Sequence, residues 1–413
     1  MTATSKPDIT RYLLAQGTQF AAGGMMAVVF PWLMTHELHA DQYMVGLGQT
    51  LANLPFMFLI LVAGTVADGR DLKKFLPRIQ LVMAIFPILL GIVISLHALT
   101  FTIITGTLFA FSIAGAFATP ARDAMLSHVT PHSLGLARAS AVAVAATFGG
   151  QVLGTLVAAW TSVIGAVPLL SLQSALLVTS AMLTSRLVIV TPFTIKPAQS
   201  QGSVKVWHEL ADGISVVWRH ERLRTIIIYL FAGAPVFNGM FLVGFPLMVR
   251  DVFHGSSALL SGLITAFLLG LTISSFAVSR MPPIQRPGRF LMVLSFNNVF
   301  AFLLVHFFPD LTIVIALMFA WGLSSGIGMS LTRGMIQIAA PHAYRARVMS
   351  MLQFSQMAGA PIGAFLFGIV AKEFGILDTI LLIPASVVII WIIFRFGSNL
   401  WYFEREDQHP HAA

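Results

Sequence analysis

The chain has 413 residues, of which 57% are hydrophobic and only 10% charged, with a formal net charge of +8 and a mean hydropathy of +0.86. A soluble domain dresses its surface with about a quarter charged residues, so this composition excludes a water-soluble enzyme and points to a polytopic helical membrane protein. The lack of any cysteine removes disulfides, thiolate chemistry and cysteine-based metal sites.

A membrane-crossing helix takes roughly 20 apolar residues. Such runs lie at about 12–34, 43–67, 75–96, 101–119, 137–160 and 163–185 and, after a polar break, at about 223–249, 258–278, 290–307, 311–330, 349–371 and 377–394. No short apolar segment with a small-residue cleavage site precedes the first run, so it reads as a span rather than a removable signal. The expected organisation is an N-terminal six-helix bundle over 1–189, a cytoplasmic linker over 190–222, a C-terminal six-helix bundle over 223–398 and a cytoplasmic tail over 399–413. In the linker, Val206, Leu210, Ile214, Val217 and Trp218 recur at helical spacing beside Lys205, Glu209, Asp212 and Arg219. That pattern suits an amphipathic helix lying on the membrane surface.

With the N-terminus inside, 22 of the 24 Lys and Arg residues fall in cytoplasmic segments or the span ends beside them, as retention of positive charge requires. Only Arg250 and Lys372 fall outside, among the acids Glu37, Asp41, Asp251, Asp310, Glu373 and Asp378. The basic balance is thus a topology signal and an attraction to anionic lipid. No basic soluble domain stands in the sequence, so nucleic acid is not an expected partner.

Thr119-Pro120-Ala121-Arg122, followed by Thr130-Pro131-His132 and Arg138, is echoed by Thr332-Arg333, Ala340-Pro341-His342 and Arg347 at offsets of 209 to 211. Gly149 matches Gly359 at 210. The echo places these residues in corresponding loops of two similar halves in the same orientation. Such a repeat predicts a binding site between the halves and alternating access as the mode of action.

These residues resemble the major facilitator superfamily, over nearly the whole chain. The segment Gly64-Thr65-Val66-Ala67-Asp68-Gly69-Arg70-Asp71-Leu72-Lys73-Lys74 is similar to that superfamily's signature of a glycine, an aspartate four residues later and a basic tail. Ala118-Thr119-Pro120-Ala121-Arg122 and Phe30-Pro31-Trp32-Leu33 are similar to the branch containing the enterobactin exporter and the macrolide efflux pumps. The resemblance implies the major facilitator fold, an all-α membrane protein with twelve transmembrane helices in two six-helix bundles. It also implies a cytoplasmic gate in which Asp68 meets the start of span eleven, Arg122 joins the charge cluster and Arg333 is the second-half counterpart. The physics agrees: Gly64 permits close helix approach, Asp68 can accept from exposed helix-terminal amides, and Arg70 holds it ionised. Gly69 stands where a basic residue is usual, and the second half has Val278 and no acid, so the gate is expected to be asymmetric.

Gly149, Gly150 and Gly154 in span five resemble the antiporter motif of drug exporters, with Gln151 in the place of its proline; Gly359, Pro361 and Gly363 in span eleven keep that proline. By spacing alone these small residues serve tight helix crossing.

Between the span ends no Asp, Glu, Lys or Arg is expected, which leaves as candidate acids Asp68 and Asp123 on the inner side and, on the outer rim, Asp251 and Asp378 nearest to helix ends. The amides within spans are Gln16, Gln19, Gln49, Asn53, Gln80, Gln151, Gln173, Asn238, Asn297, Asn298, Gln353 and Gln356. The i, i+3 pairs Gln16/Gln19 and Gln353/Gln356 suit either a cavity lining or helix-to-helix bonding, and Asn238, between Pro235 and Pro246, is a cavity candidate. The 33 Phe, 7 Trp and 19 Met add adaptable apolar surface. No span carries two histidines at metal-ligand spacing and no phosphate-binding glycine loop occurs, so neither metal, cofactor nor ATP is expected. The function expected is a secondary active exporter of hydrophobic or amphipathic molecules of the drug or siderophore kind. It is read as a monomer in a bacterial inner membrane, both termini cytoplasmic, with the proton as coupling ion. The alternatives are an importer or facilitator of a metabolite and a lipid-moving membrane protein.

Overall fold

The computed structural model describes residues 6–68, 70–130, 136–189, 215, 217–281, 284–340 and 345–403. Twelve long helices account for nearly all of them, and no strand occurs among the described residues. They are α1 (Lys6–Trp32), α2 (Gln42–Asp68), α3 (Leu72–Ser95), α4 (Phe101–Val129), α5 (Leu136–Ala158), α6 (Ala166–Ser185), α7 (Glu221–Gly239), α8 (Ser257–Arg280), α9 (Pro287–Phe307), α10 (Leu311–Ala339), α11 (Arg345–Phe374) and α12 (Leu382–Gly397). Eleven of the helical segments are long and apolar enough to cross a membrane; α2, with 27 residues, matches them in length. The amphipathic helix expected in the linker lies almost wholly outside the described residues.

Local chemistry sets several of the ends. Asp71 caps α3 through Lys73 N–H, Thr100 caps α4 through Ile103 N–H, and Asp310 caps α10 through Thr312 and Ile313 N–H, each oxygen taking up a donor the helix leaves orphaned. Pro31 and Pro235 remove ladder hydrogen bonds within α1 and α7. Past each of them the helix loosens into a π-turn, at Leu33–Glu37 and Met240–Gly244, before Phe245–Asp251 completes the seventh span. The helices α4 and α10 each run for 29 residues, about ten beyond the apolar runs that announced them. The segment 119–122 expected in a loop is therefore helical, with Pro120 inside α4.

Packing repeats from one half to the other. In the first, α1 packs on α5 and α6, α3 on α4 and α6, and α2 on α4; in the second, α7 packs on α11 and α12, α9 on α10 and α12, and α8 on α10. The halves meet through α2 with α11 and α5 with α8, two interfaces that the same correspondence exchanges. The turns agree: Gly165 and Gly375, 210 residues apart, both adopt positive φ (83° and 80°), a conformation glycine takes without strain. The outward faces of α3 and α9 carry exposed apolar side chains such as Leu81, Ile85, Ile92, Phe290, Val293 and Phe300. Lipid is the solvent such faces fit.

An even number of spans puts both termini at one end of the molecule. At the opposite, far end a single buried apolar cluster, from Met25 and Val45 through Met248 and Leu260 to Ala364 and Phe367, crosses both halves. At the termini end the buried core splits in two, one cluster around Leu76, Met125 and Leu177 and another around Met292, Met335 and Leu352. The halves are thus joined at the far end and part toward the termini.

Polar contacts reinforce the far-end junction. Thr50 Oγ1 donates to Pro361 O (3.1 Å), Thr155 and Thr265 hydroxyls pair (3.2 Å), and Ser257 Oγ accepts from Ser162 N–H and donates to Ala159 O. Arg250, in the Phe245–Asp251 end of the seventh span, donates to Ala40 O between α1 and α2 and pairs with Asp251, which in turn accepts from Gln42. Lys372 on α11 pairs with Asp41 at 3.6 Å and lies over the Tyr43 ring. An exposed pair such as Lys372–Asp41 contributes about 0.2–1 kcal/mol, whereas hydrogen bonds to the partly buried Arg250 charge are worth about 1.5–3 kcal/mol. Arg250→Ala is therefore expected to open the far end more than Lys372→Ala. Maleimide labelling of a single cysteine placed at the buried Val45 checks this; equal labelling in the two variants would contradict it.

Candidate functional site: a cavity shared by the two halves

Two adjoining cavities occupy the space between the halves, of about 560 Å³ on the C-terminal side and about 370 Å³ on the N-terminal side. Phe241 of the π-turn lines both. Ligand sites typically fall in this range of volume, with apolar walls and a few placed polar groups.

The C-terminal cavity is built around Trp321 of α10, a ring 5% exposed. Phe237, Phe241, Phe245, Phe267 and Phe302 surround it at centroid distances of 5.1–6.2 Å. Gln151, Asn238, Asn298 and Gln356 add carboxamides, and Ser295, Ser324 and Thr332 add hydroxyls. Asn238 is fixed by bonds from its amide to Ala234 O (2.9 Å) and Gln356 O (3.2 Å), tying α7 to α11. Asn298 is 6% exposed and its carboxamide oxygen has no partner.

The N-terminal cavity runs from Pro31 and Leu108 to Arg122, with Gln19, Gln49 and Asn53 among its walls. Gln80, behind it, donates to both Gln19 Oε1 and Ser180 Oγ at 2.9 Å, which orients the Gln19 amide. Arg122 is 9% exposed, stacks over Phe20 at 4.5 Å and bonds Asp123 at 3.2 Å. Arg333, in the final turns of α10, is half-buried and within electrostatic reach of the same Asp123. Arg122 corrects the expectation of an interior without charge: among the described residues it is the one charged side chain lining either cavity.

Seven of the twelve amides line the two cavities: Gln19, Gln49, Asn53, Gln151, Asn238, Asn298 and Gln356. The i, i+3 pairs are split. Gln16 turns to α5, donating to Ala143 O and Thr147 Oγ1, and Gln353 sits on an exposed face of α11 while Gln356 reaches the cavity. Of the gate residues, Arg70 is exposed and stacks over Phe75. Gly64 and Asp68 lie on α2, with their side-chain surroundings outside the described residues.

The glycine motifs hold helices together. A Cβ on Gly150 would fall 2.3 Å from Gly17 O and one on Gly154 1.9 Å from Ala21 O, across the α1–α5 crossing. Across α7–α11 the corresponding glycines are Gly359, against Ala234 Cβ at 2.4 Å, and Gly363, against Pro235 O at 1.8 Å. Both pairs are 209 residues apart, so the halves superpose with Gly150, not Gly149, as the partner of Gly359; Gly149 faces open space. Pro361, buried in the same helix, offers its carbonyl to Thr50 on α2.

The aromatic cage was not legible as a site, because Trp321 stands among many apolar residues of span ten; the signal that marks it is its convergence with phenylalanines from three other helices. Gln80 is similar, since only its partners reveal that it orients the cavity wall.

A family profile described as transmembrane secretion effector matches residues 10–413. The multidrug efflux pump Tap of Mycolicibacterium fortuitum is 21% identical over 416 residues, covering 97% of this chain and 98% of the pump. Among solved structures, the nucleoside transporter NupG superposes with a TM-score of 0.77 at 14% identity, over 96% of this chain and all of that one. The human organic anion transporter MFSD10 superposes with a TM-score of 0.67 at 12% identity, over 95% of this chain and all of that one.

Proposed function

We propose, for a chain that belongs to the transmembrane secretion effector family of the major facilitator superfamily, that this transporter exports hydrophobic or amphipathic small molecules. As a member of that superfamily it is a transporter and not an enzyme. The observation that carries the proposal is the cavity between the halves, where an aromatic cage and neutral carboxamides supply broad apolar contact and adaptable hydrogen bonding. Arg122 adds one cation at its edge. Such walls suit sizeable amphiphiles of the drug or siderophore kind better than small ions, and the similarity to a multidrug efflux pump points the same way.

Transport proceeds by alternating access, the two six-helix halves rocking about the central site. The termini are cytoplasmic, as the placement of 22 of 24 basic residues favours, and the membrane is a bacterial inner membrane. Parted cores at the termini end then correspond to a state open to the cytoplasm. On the cytoplasmic side Gly64, Asp68, Arg70, Arg122 and Arg333 form the gate that closes when the halves rock the other way. The segment 190–222 tethers one half to the other. The proton gradient drives the cycle.

Cells lacking the protein should accumulate a labelled cationic or neutral amphiphile above the wild-type level. A protonophore should erase the difference. Lower accumulation in the deletion strain would reverse the direction and make the protein an importer.

A further inference from the structure

A third hollow, of about 680 Å³, lies on the outside of the N-terminal half and shares no lining residue with the two central cavities. The helices α2 and α3 both pack on α4, and α4 forms the floor of the groove they leave. Its walls are apolar: Phe75, Ile79, Val82 and Phe86 of α3 face Ile113 and Phe117 of α4. Toward its termini end two guanidinium groups, Arg70 and Arg78, join the lining on either side of Phe75. Both are exposed. Arg70 rests over the Phe75 ring at 4.7 Å, and among the described residues neither has a carboxylate partner.

From these features we propose that the groove is a binding site for one anionic phospholipid, phosphate at the two arginines and an acyl chain laid along α3. The dimensions support this occupant. From Arg78 to Phe86 is eight residue steps, about 12 Å of helix, within the hydrocarbon depth of one leaflet, half of roughly 30 Å. The charge supports it too. An arginine fork meets a phosphodiester with paired hydrogen bonds, and each basic residue near a membrane surface contributes about 1 kcal/mol toward anionic lipid. Arginines that merely snorkel to the interface would need no apolar groove leading away from them. With the proposed orientation the lipid belongs to the cytoplasmic leaflet; binding itself does not depend on that orientation or on what the protein transports.

Delipidated protein in detergent is offered equal amounts of palmitoyl-oleoyl phosphatidylglycerol and phosphatidylcholine, and retained lipid is counted by native mass spectrometry. Phosphatidylglycerol should be retained in preference. Arg78→Gln should lower its retention about fivefold, the equivalent of one basic contact, with Arg78→Lys intermediate. Val82→Trp should also reduce it by filling the groove without altering charge. Arg280→Gln removes an exposed arginine at the corresponding end of the other half and should leave retention unchanged. The proposal is overturned if Arg78→Gln retains as much phosphatidylglycerol as wild type, or if Arg280→Gln loses as much. Displacement by millimolar inorganic phosphate would overturn it as well, since a headgroup site alone would then suffice.

Discussion

Alanine at Gly363 is expected to drive α7 and α11 apart and to lower the thermal stability of the purified protein, whereas alanine at Gly149 leaves it unchanged. The new Cβ at 363 would stand 1.8 Å from Pro235 O and 2.7 Å from Gly239 N, and main-chain atoms within a helix cannot turn aside as a side chain can. Relief requires the helix axes to separate by more than an ångström. That loosens the neighbouring contacts of Gly239 with Gly363 O and Phe367 and of Gly359 with Ala234. Overpacking of this kind costs about 1–3 kcal/mol, and more where the backbone itself is blocked. Gly154→Ala should act alike at the α1–α5 crossing. At Gly149 nothing lies within 4 Å, so a methyl group meets no obstacle. Melting curves followed by size-exclusion chromatography decide the matter, and equal losses for Gly149→Ala and Gly363→Ala would refute it.

Trp321→Ala should be the most damaging change within the cavity. Five phenylalanine rings rest against that indole, and removal of a buried Trp side chain costs about 3–5 kcal/mol, partly through aromatic pairs worth about 0.5–1.5 kcal/mol each. Trp321→Phe keeps a ring and most of the packing. Binding of a fluorescent aromatic amphiphile to purified protein should therefore weaken strongly for the alanine variant and only modestly for the phenylalanine one. Unchanged binding in a folded Trp321→Ala protein would place the substrate elsewhere.

What could be read from the sequence follows from what periodicity encodes. Long apolar runs fix the twelve helices because each must satisfy its own backbone in lipid, and the Thr119–Arg122 echo at Thr332–Arg333 reveals the two halves. The lengths of α4 and α10 were less legible: their final turns are amphipathic enough to leave the apolar run while remaining helical. Residue facing was the least legible of all. An i, i+3 spacing puts Gln353 and Gln356 near one another on α11, yet the cavity admits one and the exposed surface takes the other. Gly149 and Gly150 are adjacent in sequence, and only the position of Gly17 on α1 decides which of them is the crossing residue. Arg122 escaped notice as a cavity residue because its charge marks the end of an apolar run, while Phe20 and Asp123 supply the stacking face and the counterion that let it stay buried.

The far-end junction has two kinds of strength. The approach of Gly46 to Gly368, where a Cβ on either would meet the other's Cα within 2.7 Å, and the apolar cluster behind it do not respond to dissolved ions. The Lys372–Asp41 pair stands in water, each side chain about half exposed, where the Debye length shrinks from about 30 Å at 0.01 M salt to about 3 Å at 1 M. Ionic strength on that side of the membrane therefore acts as a tuning knob on the resting equilibrium, set by the surroundings and independent of cargo: dilute media hold the far end shut a little more firmly, and concentrated ones leave it to shape and to the buried and neutral hydrogen bonds.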